Sequence, residues 1–437
     1  MNLRLFLIAL ILFSALPPVS ATELPAINTF LLAAQTEYDN VNATRKGIPE
    51  LNGLSSWIEE SQVRVNVADE NQPADLNKGI SDVYTKTYGI RVKPKAWGQR
   101  DAEQKILQLR SHQEDALYNE SLNTELNRRY NLILELIAQR NQTDFLLESD
   151  ALLNKQVQLN RSLVNSTEFN EENLLDVEIA FEQTKDLVDL NVRRLHDLQS
   201  QLKMPADSKE TLMTANNALD WLISVPQMYG IMSQAIEPQQ IPEVIKSRLN
   251  LEQAKAENQH KKSTQQLGIN LLRFQVDDSD DPKKDLKLGF LVGVNIPLGS
   301  ENFQTTETRH DMYDAHFKLH DSTYTTAQGL DEKRTKMKWL LEEWQVTQKQ
   351  MDKLNARLEK DYAKSNPQLA LALHIEHAKK LKELLDIHQE ALTLYVSYLT
   401  IAGQLTAQPL RNWLHAKIPT LQTATPQKIA PRPRTQG

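Results

Sequence analysis

Two segments of this chain follow one order: alternating apolar and polar residues, then Pro and Gly, then a long polar stretch. The first covers residues 88–98, and the second, about half a chain later, covers residues 288–299. Alternation with a period of two predicts strands, and Pro and Gly end them. The repeat indicates a duplicated chain in which short strand hairpins stand on long helices. Such a chain is expected to complete its structure by assembling several copies.

The predicted helices are unusually long. Residues 99–160 contain neither Pro nor Gly. A helix of roughly 60 residues would measure roughly 90 Å, far beyond a globular domain, so we interpret it as a strut. Apolar or small residues three and four apart then predict a returning helix with a coiled-coil seam that has two polar interruptions. The seam residues are Leu174, Val177, Phe181, Thr184, Val188, Asn191, Leu195 and Leu198.

The second half repeats this plan, with a break at Pro367. We therefore predict a mainly α fold with a small transmembrane β part, built from two internal repeats with antiparallel coiled-coil helix hairpins and four β-strands. The divisions are a signal peptide (1–21), a first repeat (22–204, hairpin about 60–93, helix pair about 99–202), a connector (205–242), a second repeat (243–405, hairpin about 268–296, helix pair about 300–405) and a partly disordered tail (406–437).

The first residues have a charged start, a short apolar run and small residues ending at Ala21, which is typical of a secretion signal. An uncleaved membrane anchor is the alternative, which the short run disfavours. No later stretch reaches about 18 apolar residues, so no membrane-crossing helix is predicted. The lack of Cys excludes a disulfide framework, and a net charge of -7 with mixed signs argues against a nucleic-acid surface.

Each predicted strand has one apolar and one polar face. At roughly nine to eleven residues, such strands suit a tilted bilayer crossing better than a hairpin packed on a soluble core. The expected lipid-facing residues are Val63, Val65, Tyr88, Ile90, Val92, Leu272, Phe274, Phe290, Val292 and Val294, with Asn270 as a polar interruption. The expected lumen-facing residues are Arg64, Arg91, Arg273 and Lys287. These charges either bias which solutes pass or only keep the lumen polar.

Four strands are too few to close a barrel in lipid. An unpaired backbone N–H or C=O there costs several kcal/mol, and the smallest membrane barrels use about eight strands. Three chains would supply about 12 strands. The sequence therefore predicts a trimer that forms a 12-stranded barrel, continued by an α-helical tunnel.

With this plan, the sequence resembles the TolC-type outer-membrane efflux protein family (outer membrane factors). The likeness lies in the strand-to-helix junction at residues 88–103, the second junction at 293–298 and the returning helix at 174–202. The resemblance implies a homotrimeric duct in the outer membrane of a Gram-negative bacterium, mostly periplasmic, which docks a periplasmic adaptor protein and an inner-membrane transporter. Unlike many members, this chain has no Gly in the turns at 165–172 and 364–369, and no Pro directly before the second hairpin.

The resemblance also implies that the turns between paired helices lie at the periplasmic end, where the family closes its tunnel and meets its adaptor. The tip residues implied are Asn165, Glu168, Glu171, Glu172, Ser365, Asn366 and Pro367.

No motif for nucleotide binding or hydrolysis occurs, so neither an enzyme nor a cofactor is expected, and the duct would be passive. His310, Asp314, His316 and His320 are weak metal candidates, but a solvated helix face is the favoured interpretation of this cluster. The expected function is the channel of a tripartite efflux or type I secretion system. The alternatives are a soluble periplasmic coiled-coil scaffold or adaptor and, less favoured, a metal-binding periplasmic protein.

Overall fold

The computed structural model describes residues 23–45, 57–69, 84–165, 169–201, 221–265, 268–279, 285–296, 303–360 and 365–421. The predicted signal peptide, the first hairpin loop, Glu168 and residues 422–437 lie outside these ranges. The elements in chain order are α1 (Glu23–Arg45), β1 (Ile58–Asp69), β2 (Tyr84–Pro94), α2 (Gln99–Ser162), α3 (Glu171–Gln201), α4 (Val225–Met232), α5 (Pro242–Thr264), β3 (Gly268–Ser279), β4 (Lys287–Asn295), α6 (Phe303–Leu358) and α7 (Pro367–Ile401).

The chain divides into two compact units, and both predicted repeats contribute to each unit. A helical unit is formed by the described residues within 1–42, 119–242 and 326–437, and a sheet unit by those within 43–118 and 243–325. The four strands are in the sheet unit, whereas most of each long helix pair is in the helical unit. The compact units therefore cut across the repeats that the sequence suggests.

Within the helical unit, α2 and α3 form the predicted antiparallel pair. Near the turn, Arg161 donates to Glu178 at 2.7 Å, and farther along Gln139 donates to the Asn191 side chain. Asn191 is one of the polar interruptions in the predicted seam, and it is buried between Val188 and Leu195 of the same seam. Its pairing with Gln139 satisfies a buried amide and favours one register of the two helices, as polar seam residues do in coiled coils.

The second helix pair packs beside the first. Thr347 of α6 donates to Glu383 of α7 at 3.2 Å, and Gln389 of α7 donates to the Leu134 carbonyl of α2 at 2.9 Å. These bonds link the helices in the order α3, α2, α7 and α6. Because α7 touches neighbours on two sides, most residues of its C-terminal half are buried.

The core of the helical unit lies around this half of α7. Tyr395 and Tyr398 are fully buried beside Met228 and Met232 of α4. The Tyr398 hydroxyl donates to the Met232 carbonyl at 3.1 Å, and Arg334 of α6 donates to the same carbonyl at 2.7 Å. Tyr398 and Arg334 are thus paired inside this apolar core, whereas the buried Tyr395 hydroxyl has no hydrogen-bond partner among the described residues.

The segment after α7 also belongs to this core. Leu410, Trp413 and Leu414 are buried, and the Tyr130 hydroxyl of α2 donates to the Arg411 carbonyl at 2.8 Å. The sequence predicts a partly disordered tail from residue 406. The structure shows that residues 406–421 are packed, because their apolar side chains complete the core of the helical unit.

A buried arginine fastens α1 to α2. Arg129 is 4% exposed and donates to Glu37 of α1 and to Glu125 of α2, both at 2.8 Å. Its guanidinium also lies over the Phe30 ring, 4.9 Å from the ring centroid. Hydrogen bonds from Arg128 and Arg129 hold the pKa of Glu125 at about 2. Ionised Glu125 is therefore part of what keeps α1 in place.

We expect Glu125→Gln to lower the free energy of unfolding by about 1–3 kcal/mol at pH 7. Because the folded-state pKa of Glu125 is depressed, its contribution is complete above the ordinary value near 4.5 and is lost as pH falls toward about 2. The deficit of the variant should shrink accordingly when thermal unfolding, followed by circular dichroism, is repeated at pH 3. Glu135→Gln, an exposed change on the same helix, is the control, and an equal deficit at both pH values would contradict this account.

Candidate functional site

The four strands form one antiparallel sheet in the order β1, β2, β3 and β4. The pairing of β2 with β3 joins the two hairpins, although about 170 residues of the chain separate them. Among the described residues, no further strand pairs with the outer side of β1 or of β4. The sheet of a single chain is therefore open at both edges.

The register places all ten predicted lipid-facing residues on one face of this sheet. Directly opposed residues share a face, so the cross-strand rows can be read from the pairing. Two central rows are Val63, Ile90, Phe274 and Phe290, followed by Val65, Tyr88, Val276 and Leu288. Val63 is 77% exposed and Phe290 is 70% exposed, so the described residues of the chain leave this apolar face uncovered.

The opposite face contains the four basic residues predicted to face a lumen. Arg91 pairs with Arg273, Arg64 pairs with Gly89, and Lys287 pairs with Asp277. That these two faces meet lipid and lumen stays a prediction. The division of side chains between the faces is a property of the folded sheet.

Asn270, which the sequence analysis placed on the apolar face, lies on the other face in the structure. The register of β3 against β4 shifts between Ile269 and Leu271, so Asn270 is the extra residue of a bulge. A Cβ atom added to Gly293 would lie 2.6 Å from Asn270 Oδ1. Gly293 points away from the apolar face, so the amide of Asn270 lies on the polar face. The prediction of a polar interruption on the apolar face was wrong because a bulge shifts the alternation by one residue.

The apolar face has a length that matches a bilayer. On β1 it runs from Ile58 to Val67, about 30 Å along a strand, or about 23 Å along the membrane normal at a tilt of about 40°. In the row of Val67 itself, Lys86 lies opposite Asp278 on the same face. The apolar band thus ends in charged residues at the loop end of the sheet.

A polar cluster joins the other end of the sheet to the helices, and sequence reasoning did not identify it. Lys95 binds Glu103, and Gln99 donates to Glu103 at 2.9 Å while accepting from the Ala96 backbone N–H at 3.0 Å. His260 of α5 lies 3.4 Å from Glu103. Burial opposes ionisation of Glu103, but bonds from Lys95 and Gln99 outweigh it and lower the pKa.

Gly98 shapes the turn that brings this cluster together. Its φ is +78°, a left-handed conformation that favours Gly, and a Cβ there would lie 3.3 Å from Ser263 Oγ. The signal in the sequence was the spacing Gly98, Gln99 and Glu103, because residues four apart share one helix face. Lys95 lies between β2 and α2, outside the helix that this spacing describes. Its contact with Glu103 therefore became apparent only from the fold.

The turns between paired helices contain capping residues. Asn366 accepts from the backbone N–H groups of Gln368 and Leu369 at 3.1 Å, and Pro367 opens α7. At the other turn, Asn170 accepts from Asn173 N–H at 3.2 Å, and Glu171 and Glu172 lie in the first turn of α3. Acidic residues there complement the helix dipole. Asn165 and Ser365 are exposed, and a role of these residues in a tunnel tip stays a prediction.

The weak metal candidates lie along the exposed side of α6. His310 Nδ1 is 3.7 Å from Asp314 Oδ2, and His316 and His320 are exposed. Within the described ranges, no three His, Asp or Glu side chains come together in a way that would hold a metal ion. None of the helices described has both the length and the apolar character needed to cross a bilayer.

Comparison with known proteins gives matches only to solved structures. Neither a protein-family model nor a curated protein matches the sequence. The outer membrane protein VceC from Vibrio cholerae superposes with a TM-score of 0.57 at 11% identity, covering 88% of this chain and 93% of VceC. CusC, described in connection with transmembrane channel formation, gives a TM-score of 0.55 at 10% identity, with 86% and 92% covered.

The Campylobacter jejuni CmeC outer membrane channel gives a TM-score of 0.52 at 11% identity, covering 89% of this chain and 85% of CmeC. This chain has the fold of these outer-membrane channels. At such low identity the likeness concerns the fold alone, and at that level it confirms the resemblance noted from the sequence.

We expect Gly293→Ala to weaken the pairing of β3 with β4, because the added Cβ would collide with Asn270 Oδ1. The expected cost is about 1–3 kcal/mol. Gly289→Ala is the matched control on the same strand, since a Cβ there meets its nearest atom at 3.8 Å, an ordinary contact. Hydrogen exchange of β3 and β4 measures the effect, and equal protection in both variants would contradict the bulge geometry.

We expect Glu103→Gln to loosen the junction between β2 and α2. Lys95 is largely buried and would lose its charged partner, at a cost of about 1–3 kcal/mol. Backbone hydrogen exchange across residues 94–103 should rise. Glu114→Gln, an exposed change farther along α2, should leave it unchanged. If exchange in this segment is the same in all three proteins, the cluster does not hold the junction.

Proposed function

We propose that this chain is the subunit of a homotrimeric outer-membrane channel, which serves as the passive exit duct of a tripartite efflux or type I secretion system. The sheet lies in the outer membrane of a Gram-negative bacterium and the helices lie in the periplasm. An inner-membrane transporter supplies the energy, and a periplasmic adaptor protein joins it to the duct. The observation that carries this proposal is the exposed apolar face of a sheet that is open at both edges.

The sheet edges argue for several copies. In lipid, the outer N–H and C=O groups of β1 and β4 have no water to bond with, at several kcal/mol for each unpaired group. Pairing β4 of one copy with β1 of the next removes both edges, and closure of the ring removes them all. Three copies give about 12 strands, above the minimum of about eight for a membrane barrel.

Exposed apolar residues on the outer helices support the same assembly. On α3, Leu175, Ile179 and Leu190 are exposed and fall within an arc of about 60°, on the side away from the seam with α2. On α6, at the other end of the helix order, Trp339 and Val346 are exposed and seven residues apart. A head-to-tail ring of copies would bury these two stripes against each other.

Similarity to known structures supports the location and the type of protein. VceC is described as an outer membrane protein and CmeC as an outer membrane channel, and both share this fold over most of their length. We infer the same location and a channel role for this chain. The adaptor and transporter are inferred from the type of assembly that the sequence resembles.

The alternative, a soluble periplasmic scaffold or adaptor, requires the apolar face of the sheet to be buried. In water, the apolar face of the sheet would have to pack against the chain's own core. Val63, Phe290 and their neighbours are instead exposed. This observation favours the channel.

Membrane fractionation of cells that express the full chain tests the proposal. We expect the protein in the outer-membrane fraction, and a trimer on electrophoresis that dissociates only after boiling, because closed membrane barrels resist detergent at room temperature. A soluble monomer would overturn the proposal.

Neighbouring residues of β4 provide a sharper test of the two faces. Val292 (46% exposed) lies on the apolar face, and Leu291 (53% exposed) lies on the polar face opposite Arg273. We expect Val292→Asp to reduce the yield of heat-modifiable trimer strongly, since a carboxylate facing lipid costs about 1 kcal/mol or more per chain. Leu291→Asp makes a closely similar chemical change on the same strand, beside a cation, and should retain most of the yield. Equal losses would show that the faces are wrongly assigned.

A further inference from the structure

The polar face of the sheet has an uneven distribution of charge along its strands. Near the helices, Lys93 binds Glu59 at 2.8 Å, and at the loop end Lys287 lies opposite Asp277. Both ends thus contain charges of both signs. The two rows between them contain three arginines and no acidic residue. These rows are Gln62, Arg91, Arg273 and Leu291, followed by Arg64, Gly89, Gln275 and Gly289.

Within these rows, Arg91 and Arg273 are directly opposed across β2 and β3. Opposed like charges destabilise a sheet, and arginine stays charged at all physiological pH values. Arg64 lies in the adjoining row of the neighbouring strand β1, on the same face. The chain therefore places three positive charges together. Neutral polar residues would also keep this face hydrated, without the electrostatic repulsion between like charges.

The surroundings of the arginines leave donors and space for a ligand. Arg91 Nε is buried and has no hydrogen-bond partner among the described residues. The adjoining row has Gly89 and Gly289 in place of side chains, although a Cβ at either position would meet only ordinary contacts. A buried donor without a partner, next to a second guanidinium and a gap, is suited to an anion or to water that hydrates one.

We propose that this arginine belt, defined by Arg64, Arg91 and Arg273, makes the duct selective for anionic solutes. The inference rests on the proposed function, in which the polar face lines the lumen of a closed ring and each copy contributes three arginines. Rings of basic side chains favour the passage of anions, and low-dielectric walls strengthen their field. The formal net charge of the whole chain is -7, so the belt and the chain as a whole predict opposite preferences.

Reversal potentials in planar lipid bilayers test this inference. The full-length protein is reconstituted, and its current is recorded under a KCl gradient. We expect a chloride-to-potassium permeability ratio above one. In the double variant Arg91→Gln with Arg273→Gln, the ratio should fall by about twofold or more, because the local positive potential is lost. Lys86→Gln removes one charge from the apolar face of the same β2 strand and should leave the ratio unchanged.

The outcomes separate this inference from the proposed function. If wild-type protein forms no channels, the proposed function fails. If channels form but prefer potassium, or if the double variant keeps the wild-type ratio, the inference fails while the channel stands. Each variant is first checked for heat-modifiable trimer at the wild-type level, and single Arg91→Gln and Arg273→Gln variants replace the double variant if that form does not assemble.

Discussion

Backbone hydrogen bonding at the sheet edges is the constraint on which the rest of this structure depends. Every inner strand edge is paired, whereas the outer edges of β1 and β4 have no strand partner in the described part of the chain. An open edge is tolerable in water and costly in lipid. The same sheet exposes an apolar face about as tall as a bilayer core is thick. The described part of a single chain therefore leaves two strand edges unpaired and an apolar face exposed. Under the proposed function, assembly of the channel pairs these edges and places this face in lipid.

The helical unit, by contrast, has a core of its own. Tyr395 and Tyr398 of α7 pack on α4, and the segment after α7 closes the core with Trp413 and Leu414. Among the polar groups inside, His388 lies 2.9 Å from the Ile223 carbonyl, and burial lowers its pKa, which favours the neutral ring.

The polar cluster lies at the junction between the sheet and the helices. Lys95, Gln99 and Glu103 bind one another where a strand becomes a helix, while Gly98 makes the turn. The junction separates the apolar band of the sheet from the polar helices. Its bonds are satisfied within the chain, so the junction does not depend on assembly. The cross-strand arginines Arg91 and Arg273 differ from this cluster, because they are opposed like charges on one face of the sheet.

Periodicity in the sequence was enough to identify the elements and most of the faces. Alternation placed Val63 and Phe290 on one face and Arg91 and Arg273 on the other, and the seam spacing placed Asn191 between two helices. These features depend only on neighbours along the chain, since the side-chain repeat of a strand or helix is fixed by its backbone. The length of α2 followed from the absence of Pro and Gly.

Only the tertiary structure decided which strands and helices lie next to each other. The pairing of β2 with β3, the bulge that moves Asn270 to the polar face, and the bonds of Arg129 to α1 and of His260 to Glu103 join residues far apart in the sequence or in different elements. The packing of residues 406–421 has the same cause, because the core that covers Trp413 is built from other segments of the chain. Such contacts depend on which surfaces meet in space, and the local pattern of a sequence does not contain that information.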